Sequence, residues 1–216
     1  MTRTFVFDLD GTLVDSVPDL LASCNRVMSA HGLAPFTAAD VTAMVGDGAA
    51  ALVGRIMAAR DRVATPRDLE DFLADYMAHP AVETRPYPGA VAVLDLLASE
   101  GWTFSICTNK PEAAARKVLE ALGLAHHFMV IGGGDSYPKR KPNPAHLLAT
   151  IKAAGGSPQA AVMLGDHHND MAAAKGAGVP AVFAAWGYGP EAMAAGAPIA
   201  RRFADVPALA RGLLPS

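Results

Sequence analysis

The sequence predicts an α/β protein, a doubly wound parallel sheet that carries an inserted unit of four helices. Three observations lead to that prediction. A short apolar run, Phe5-Val6-Phe7, stops at Asp8 and is followed by a turn marked by Gly11, as a buried strand would be. From Ser16 to Thr84 apolar residues recur at helical spacing and no strand pattern intervenes. From Gly89 onward helical and strand patterns alternate, which implies right-handed crossovers and a ligand site beyond the carboxyl ends of the strands.

In chain order, Ser16-Val17-Pro18-Asp19 reads as a helix start, followed at helical spacing by Leu20, Leu21, Cys24, Val27, Met28 and His31 until Gly32. Thr37 to Asp40 opens a second helix with Val41, Met44 and Val45. Leu52, Val53, Ile56 and Met57 form a third, and Thr65-Pro66-Arg67-Asp68 opens a fourth with Leu69, Phe72, Leu73, Tyr76 and Met77. Arg85-Pro86-Tyr87-Pro88-Gly89 then argues against continuous secondary structure. The expected division is a core of residues 1–15 and 85–216 and a helical unit of residues 16–84. Within the core, strands are expected at Trp102–Cys107, His127–Ile131, Ala161–Gly165 and Pro180–Ala184, with helices between them and a glycine loop at Gly132-Gly133-Gly134.

The composition limits the partners. At 216 residues, 51% of them hydrophobic, the chain can bury a substantial core. A net charge of −3, with 18% charged residues, offers neither the broad basic field that nucleic acid needs nor a polybasic membrane anchor. Cys24 and Cys107 are too few for a disulfide framework and read as core thiols in a reducing compartment. Met1-Thr2-Arg3-Thr4 carries no charged and apolar leader, and no stretch reaches membrane-spanning length, so a cytoplasmic protein, monomer or homodimer, is expected.

Polar residues gather where strands end. Asp8 and Asp10 follow the first strand, Thr108 and Asn109 a later one, Asp166 and Asp170 another, and Lys141 lies in the loop Lys139–Pro144. Two carboxylates spaced by two residues at a strand end repel each other unless a hard divalent cation is present, and such a cation would leave one carboxylate able to attack an electrophile. Each position also has a plainer reading: Thr108-Asn109 could start a helix, Lys141 could be a solvated cation, and Asp166 to Asp170 could complement a helix dipole. Their joint placement at one rim favours a site.

In order, DLDGTLVDS (8–16), CTNK (107–110), KPNP (141–144) and LGDHHND (164–170) resemble the four motifs of the haloacid dehalogenase superfamily of phosphohydrolases. Within it, VGDGAAALVGRI (45–56), YPGAVAVLDLLASEGW (87–102), TNKPEAAARKVLEALGL (108–124), the GGGDS loop (132–136) and AAKGAGVPAVFAAWGYG (173–189) are similar to bacterial phosphoglycolate phosphatases. The resemblance implies a Rossmann-like core with a mobile helical cap, dependence on Mg2+ and an aspartyl-phosphate intermediate. It implies that Asp8 is the nucleophile, Asp10 the general acid and base, Thr108 and the Asn109 backbone donors to the phosphoryl group, and Lys141 its counter-charge. Asp8, the Asp10 backbone carbonyl and Asp166 would hold the metal, with Asp170 orienting Lys141 or a metal-bound water.

The resemblance also narrows the chemistry. Dehalogenases of the superfamily lack the second aspartate, which is present here as Asp10, and phosphonatases use a lysine in the insertion, whereas the first lysine here is Lys110. A phosphomutase stays open. The substrate is expected to be a small phosphorylated metabolite, 2-phosphoglycolate first, with sugar phosphates, nucleotides and pyrophosphate as alternatives. It would be read by Gly46-Asp47-Gly48 and by Arg55, for which Arg26, Arg60, Arg62 and Arg67 compete. His167-His168 departs from the serine or threonine usual after the metal aspartate and raises a transition-metal reading beside that of a polar loop. A reading of another class, a signalling aspartate phosphoacceptor, needs similar residues but not Asp10 or so large an insertion.

Overall fold

Strand β1 (Arg3–Phe7) lies at the centre of the protein because its apolar residues are needed on both faces. Phe5, Val6 and Phe7 are all fully buried, the continuous run expected of a parallel strand covered on each side. Phe5 and Phe7 enter one cluster with Trp102 and Phe104, while Val6 points the other way, to Leu147, Ile151 and Met163. The computed structural model describes residues 3–214; Met1 and Thr2, expected to lead directly into the first strand, lie outside the described residues.

After β1 come β2 (Val14–Asp15), the helices α1 (Val17–Ala30), α2 (Ala38–Thr42), α3 (Ala49–Ala58) and α4 (Pro66–Ala78), and β3 (Arg85–Pro86). Alternation follows: α5 (Ala90–Ser99), β4 (Trp102–Cys107), α6 (Glu112–Ala121), β5 (Phe128–Gly132), α7 (Pro144–Ala153), β6 (Ala161–Gly165), α8 (His168–Ala177) and β7 (Ala181–Ala184). The described chain closes with β8 (Ile199–Ala200) and α9 (Val206–Leu213).

The main sheet has the order β5-β4-β1-β6-β7-β8 and every pairing in it is parallel. Successive crossovers run outward from β1 through β4 to β5, then return to β6 and continue to β7. The order therefore reverses between β1 and β6, where an open α/β sheet leaves a crevice at its carboxyl edge. Phe7 is in register with Leu164, and the Asp8 N–H donates to the Leu164 carbonyl at 2.9 Å. Asp8 and Asp166 thus leave the sheet side by side.

The helical unit joins the sheet through a neck. Val14 pairs with Pro86 and Asp15 with Arg85 in a short antiparallel ladder, so the outgoing and returning chains cross together. Pro86 fits because an edge strand can do without one N–H. This differs from the irregular segment expected at Arg85–Gly89. Inside the unit α1 packs on α2 and α4, and α3 on α4, with Cys24, Met28, Ile56, Phe72 and Tyr76 buried between them. Thr37 with Asp40 and Thr65 with Asp68 form the expected reciprocal caps.

Ser16 does not cap α1 with its side chain. Its Oγ donates instead to Asp10 at 2.6 Å, because the helix begins directly beside the strand-end carboxylates. Asp19 is also diverted. Only 4% exposed, it accepts from the Glu83 N–H, the Thr84 N–H (2.8 Å) and the Thr84 hydroxyl (2.6 Å). The first turn of the outgoing helix thereby grips the returning strand. The terminal strand β8 and helix α9 were not foreseen; a two-residue strand is too short to carry a period. Cys24 and Cys107 are buried free thiols, as expected. Among the described residues no helix is long and apolar enough to cross a membrane.

Replacing Asp19 by alanine removes a buried acceptor of several charge-assisted bonds and leaves their donors unpaired, so it should cost about 3 kcal/mol in urea denaturation. A loss below about 1 kcal/mol would show that the grip contributes little.

Candidate active site

The strand-end residues expected from the sequence meet at the carboxyl edge of β1, β4 and β6. Asp8 Oδ1 accepts from the Leu9 N–H at 2.7 Å and lies 2.9 Å from Lys141 Nζ, so both contacts fall on one oxygen and Oδ2 is clear of them. Lys141 is 2% exposed and its ammonium also donates to Asp170 Oδ1 at 2.6 Å. Burial pulls this lysine toward neutrality, but Asp170 and Asp8 outweigh it and hold its pKa above the ordinary value. The Lys141 N–H donates to His146 Nδ1 at 3.2 Å; burial, reinforced by the Lys141 charge, pushes the His146 pKa down to about 4, which favours the neutral ring.

Asp170 serves two functions. It is the third residue of α8, where its Oδ2 accepts from the His167 N–H at 3.0 Å and satisfies the helix start, while Oδ1 holds Lys141. Asp166 sits on the other side of Asp8. Its Oδ1 accepts from the Thr12 hydroxyl at 2.6 Å and its Oδ2 from the Tyr188 N–H at 2.7 Å. Thr12 and Tyr188 were not anticipated, although WGYG follows a strand end in the same way as the other site residues do. The loop after β7 also steadies the neck, since the Tyr188 hydroxyl accepts from the Ser16 N–H at 2.8 Å and lies 3.0 Å from Asp15 Oδ1.

Carboxylate oxygens of Asp8, Asp166 and Asp170 come within 4.8 Å of one another. Burial raises the Asp8 pKa to about 6, with Lys141 opposing and Asp170 adding to the rise. Burial, then repulsion from Asp8 and Asp170, raises that of Asp166 to about 7. Four acids, Asp8, Asp10, Asp166 and Asp170, face two ammonium groups, Lys110 and Lys141, leaving two negative charges. An all-oxygen donor set with that charge suits a hard divalent cation such as Mg2+. Asp8 and Asp166 are the better-placed acids, because Asp170 is already paired with the Lys141 ammonium, whereas Asp166 accepts only from neutral donors and Asp8 Oδ2 is clear of Leu9 and Lys141.

The Asp10 side chain turns away from this cluster. It accepts from Ser16 and from Lys110 Nζ at 3.0 and 3.2 Å. Lys110, not singled out in the sequence, is 6% exposed, and its ammonium lies 4.3 Å from the centre of the Tyr76 ring. Burial opposes its charge, and Asp10 and Tyr76 more than restore it. Thr108 is buried beside it, and its hydroxyl accepts from the Lys110 N–H at 3.2 Å.

The loop Gly46-Asp47-Gly48 reaches the rim. The Gly46 carbonyl accepts from Asn109 Nδ2 at 3.0 Å and from Asn169 Nδ2 at 3.2 Å, and Asn169 also donates to Asp47 at 2.7 Å. Two glycines are required here. At Gly46 (φ +121°) a Cβ would stand 3.0 Å from the His167 ring, and at Gly48 (φ +85°) 2.6 Å from the Asn109 carbonyl. His167 therefore borders the loop and starts α8, and it does not belong to the carboxylate cluster. Arg55 is not brought into the pocket: its guanidinium binds Asp47 and the Met44 carbonyl (2.6 Å), which braces the loop from its exposed side. Burial pushes the Asp47 pKa up, but hydrogen bonds from Arg55 and Asn169 hold it below the usual carboxylate range. Between this loop and the sheet lies a pocket lined by Asp8, Asp10, Thr108, Lys110, Leu52 and Tyr76.

Asp8 and Asp166 bind protons more tightly folded than unfolded, so in metal-free protein their contribution to stability falls as pH rises from about 4 to about 7. Mg2+ bound by these oxygens would compete with those protons. It should raise Tm more at about pH 8 than at about pH 5, and Asp166→Asn should abolish most of that gain, as read by thermal unfolding. An equal gain at both pH values, or one retained in the variant, would contradict the assignment.

The sequence pattern of the haloacid dehalogenase-like hydrolases matches residues 5–184. The phosphoglycolate phosphatase of Agrobacterium fabrum is 44% identical over 187 residues, 85% of this chain and 80% of that protein. That of Rhodospirillum rubrum is 44% identical over 202 residues, 90% and 84% of the two chains. The crystal structure of a predicted phosphoglycolate phosphatase from Haemophilus somnus superposes with a TM-score of 0.87 at 30% identity, covering 96% of this chain and 97% of that one. With the paired strand-end aspartates, the buried lysine and the helices inserted after the first strand, these matches establish that the chain belongs to the haloacid dehalogenase-like hydrolases.

Proposed function

We propose that the protein is a magnesium-dependent phosphatase that hydrolyses a small acidic phosphate monoester, 2-phosphoglycolate foremost, through an aspartyl-phosphate on Asp8. The carrying observation is the asymmetric setting of the two strand-end acids. Asp8 has one oxygen engaged by Leu9 and Lys141 and the other clear of both, whereas Asp10 lies in the same pocket against Ser16 and Lys110. An attacking group and a separate proton carrier are the two roles that the chemistry demands.

In this reading Asp8 Oδ2 attacks phosphorus, the P–O bond to the leaving alkoxide breaks, and that oxygen takes a proton from Asp10. Asp10 then removes a proton from the water that attacks the phosphoenzyme, and Asp8 is released with inorganic phosphate. Thr108 and the Asn109 N–H donate to the phosphoryl oxygens, and Lys141 balances their charge. Asp8, the Asp10 backbone carbonyl and Asp166 would hold Mg2+, which neutralises negative charge shared between the nucleophile and the phosphoryl group. Residues 16–84 form a cap over a core of residues 1–15 and 85–216, hinged at the β2–β3 neck. The similarity to two phosphoglycolate phosphatases over most of the chain supports the substrate choice.

The test is initial-rate phosphate release from a panel of 2-phosphoglycolate, sugar phosphates, nucleoside monophosphates and pyrophosphate, with Mg2+ and with chelator. Turnover should need Mg2+, favour 2-phosphoglycolate and fall roughly a thousandfold or more in Asp8→Asn and on the order of a hundredfold in Thr108→Ala. Metal-independent turnover, or an active Asp8→Asn, would overturn the mechanism; preference for another ester would overturn the substrate.

A further inference from the structure

We propose that Lys110 binds the carboxylate of the substrate and so sets a preference for phosphate esters that carry a second negative group. This deepens the phosphatase reading above and rests on it. Among the described residues that line the pocket, Lys110 is the one cation. The arginines of the helical unit that were candidates for this task are engaged elsewhere or exposed: Arg55 on Asp47, Arg26 on Asp75, Arg67 on Asp71, Arg60 on the carbonyls of Ala34 and Pro35, and Arg62 at the surface.

The position of Lys110 suits a short acid. Its ammonium touches Asp10, the group that protonates the leaving oxygen. In 2-phosphoglycolate one methylene separates that oxygen from the carboxylate, so a group in contact with Asp10 stands beside the carboxylate of a bound ester. Once Asp10 has given up its proton, it and the neighbouring carboxylate would repel each other without Lys110. The ammonium has three donors, and Asp10 does not exhaust them.

A second observation points to the same place. The Tyr76 hydroxyl is buried and has no acceptor for its proton, although Tyr76 lines the pocket, its ring lies against the Lys110 ammonium, and the residue is 2% exposed. A buried hydroxyl left unpaired is costly, and a carboxylate at Lys110 would supply its acceptor. Leu20, Leu52 and Phe72 belong to the same lining and give it apolar surface, against which an ammonium discriminates strongly between charged and neutral groups.

The experiment compares kcat/KM for 2-phosphoglycolate and for 2-hydroxyethyl phosphate, which replaces the carboxylate by a hydroxymethyl group, in the parent, Lys110→Met and Tyr76→Phe. The parent should favour the acid by roughly a hundredfold, Lys110→Met should reduce that ratio to about threefold or less, and Tyr76→Phe should raise KM for the acid several-fold with little change for the neutral ester. Parallel loss on both esters in Lys110→Met would overturn the proposal, since it would show that Lys110 acts through Asp10 alone. Should Lys110→Met not fold, an unchanged ratio in Tyr76→Phe would overturn it. A parent that hydrolyses both esters equally overturns the assignment of Lys110 and leaves the phosphatase reading standing; a parent that hydrolyses no ester on the wider panel removes both.

Discussion

Gathering the buried Asp8, Asp166 and Asp170 and the half-buried Asp10 around two buried lysines is the constraint on which the site depends. No packing gain requires four acids at one sheet edge, and isolated charges there would be strongly unfavourable. The arrangement is tolerable because each charge has a specific partner. Lys141 joins Asp8 to Asp170, Lys110 engages Asp10, and Thr12 with the Tyr188 N–H holds Asp166. The remaining negative charge makes a divalent cation a natural component; burial first, with repulsion among the carboxylates adding to it, raises the pKa values of Asp8 and Asp166.

The fold supplies this arrangement through topology. Reversal of strand order between β1 and β6 leaves two adjacent strand ends uncovered, and an aspartate follows each. The helices inserted beyond β2 then bring the Gly46 carbonyl to Asn109 and Asn169, so the loop between α2 and α3 is fastened by a residue just beyond β4 and one in the first turn of α8. These bonds are few and lie at the rim, while the neck is a two-residue ladder gripped by Asp19. Leu52 and Tyr76 of the inserted helices line the same pocket as Asp8.

Most of the sheet was legible because its strands end sharply: Trp102–Cys107 and Ala161–Gly165 have the expected bounds, and Phe128–Gly132 is displaced by one residue. The acids and Lys141 were legible because strand ends at one edge converge. What escaped notice depended on contacts distant in sequence. Ser16 looked like a helix cap, yet its hydroxyl turns to Asp10; Arg55 looked like a substrate cation, yet Asp47 occupies it. Lys110 was hidden by its place just before a helix, where a lysine would ordinarily be solvated; only the fold puts the Tyr76 ring against it. Of the pair His167-His168 that raised a metal question, His167 caps α8 and borders Gly46, outside the group of Asp8, Asp166 and Asp170.

The role of Asp8 as the attacking group is tested most directly by rapid acid quench of the enzyme during turnover of 2-phosphoglycolate with Mg2+, followed by mass spectrometry of its peptides. A phosphate is expected on the peptide that contains Asp8, absent in Asp8→Asn and absent when chelator replaces the metal. Turnover through the quench with no phosphate on that peptide, under conditions that preserve acyl phosphates and with formation faster than breakdown, or phosphate on a different residue, would contradict it.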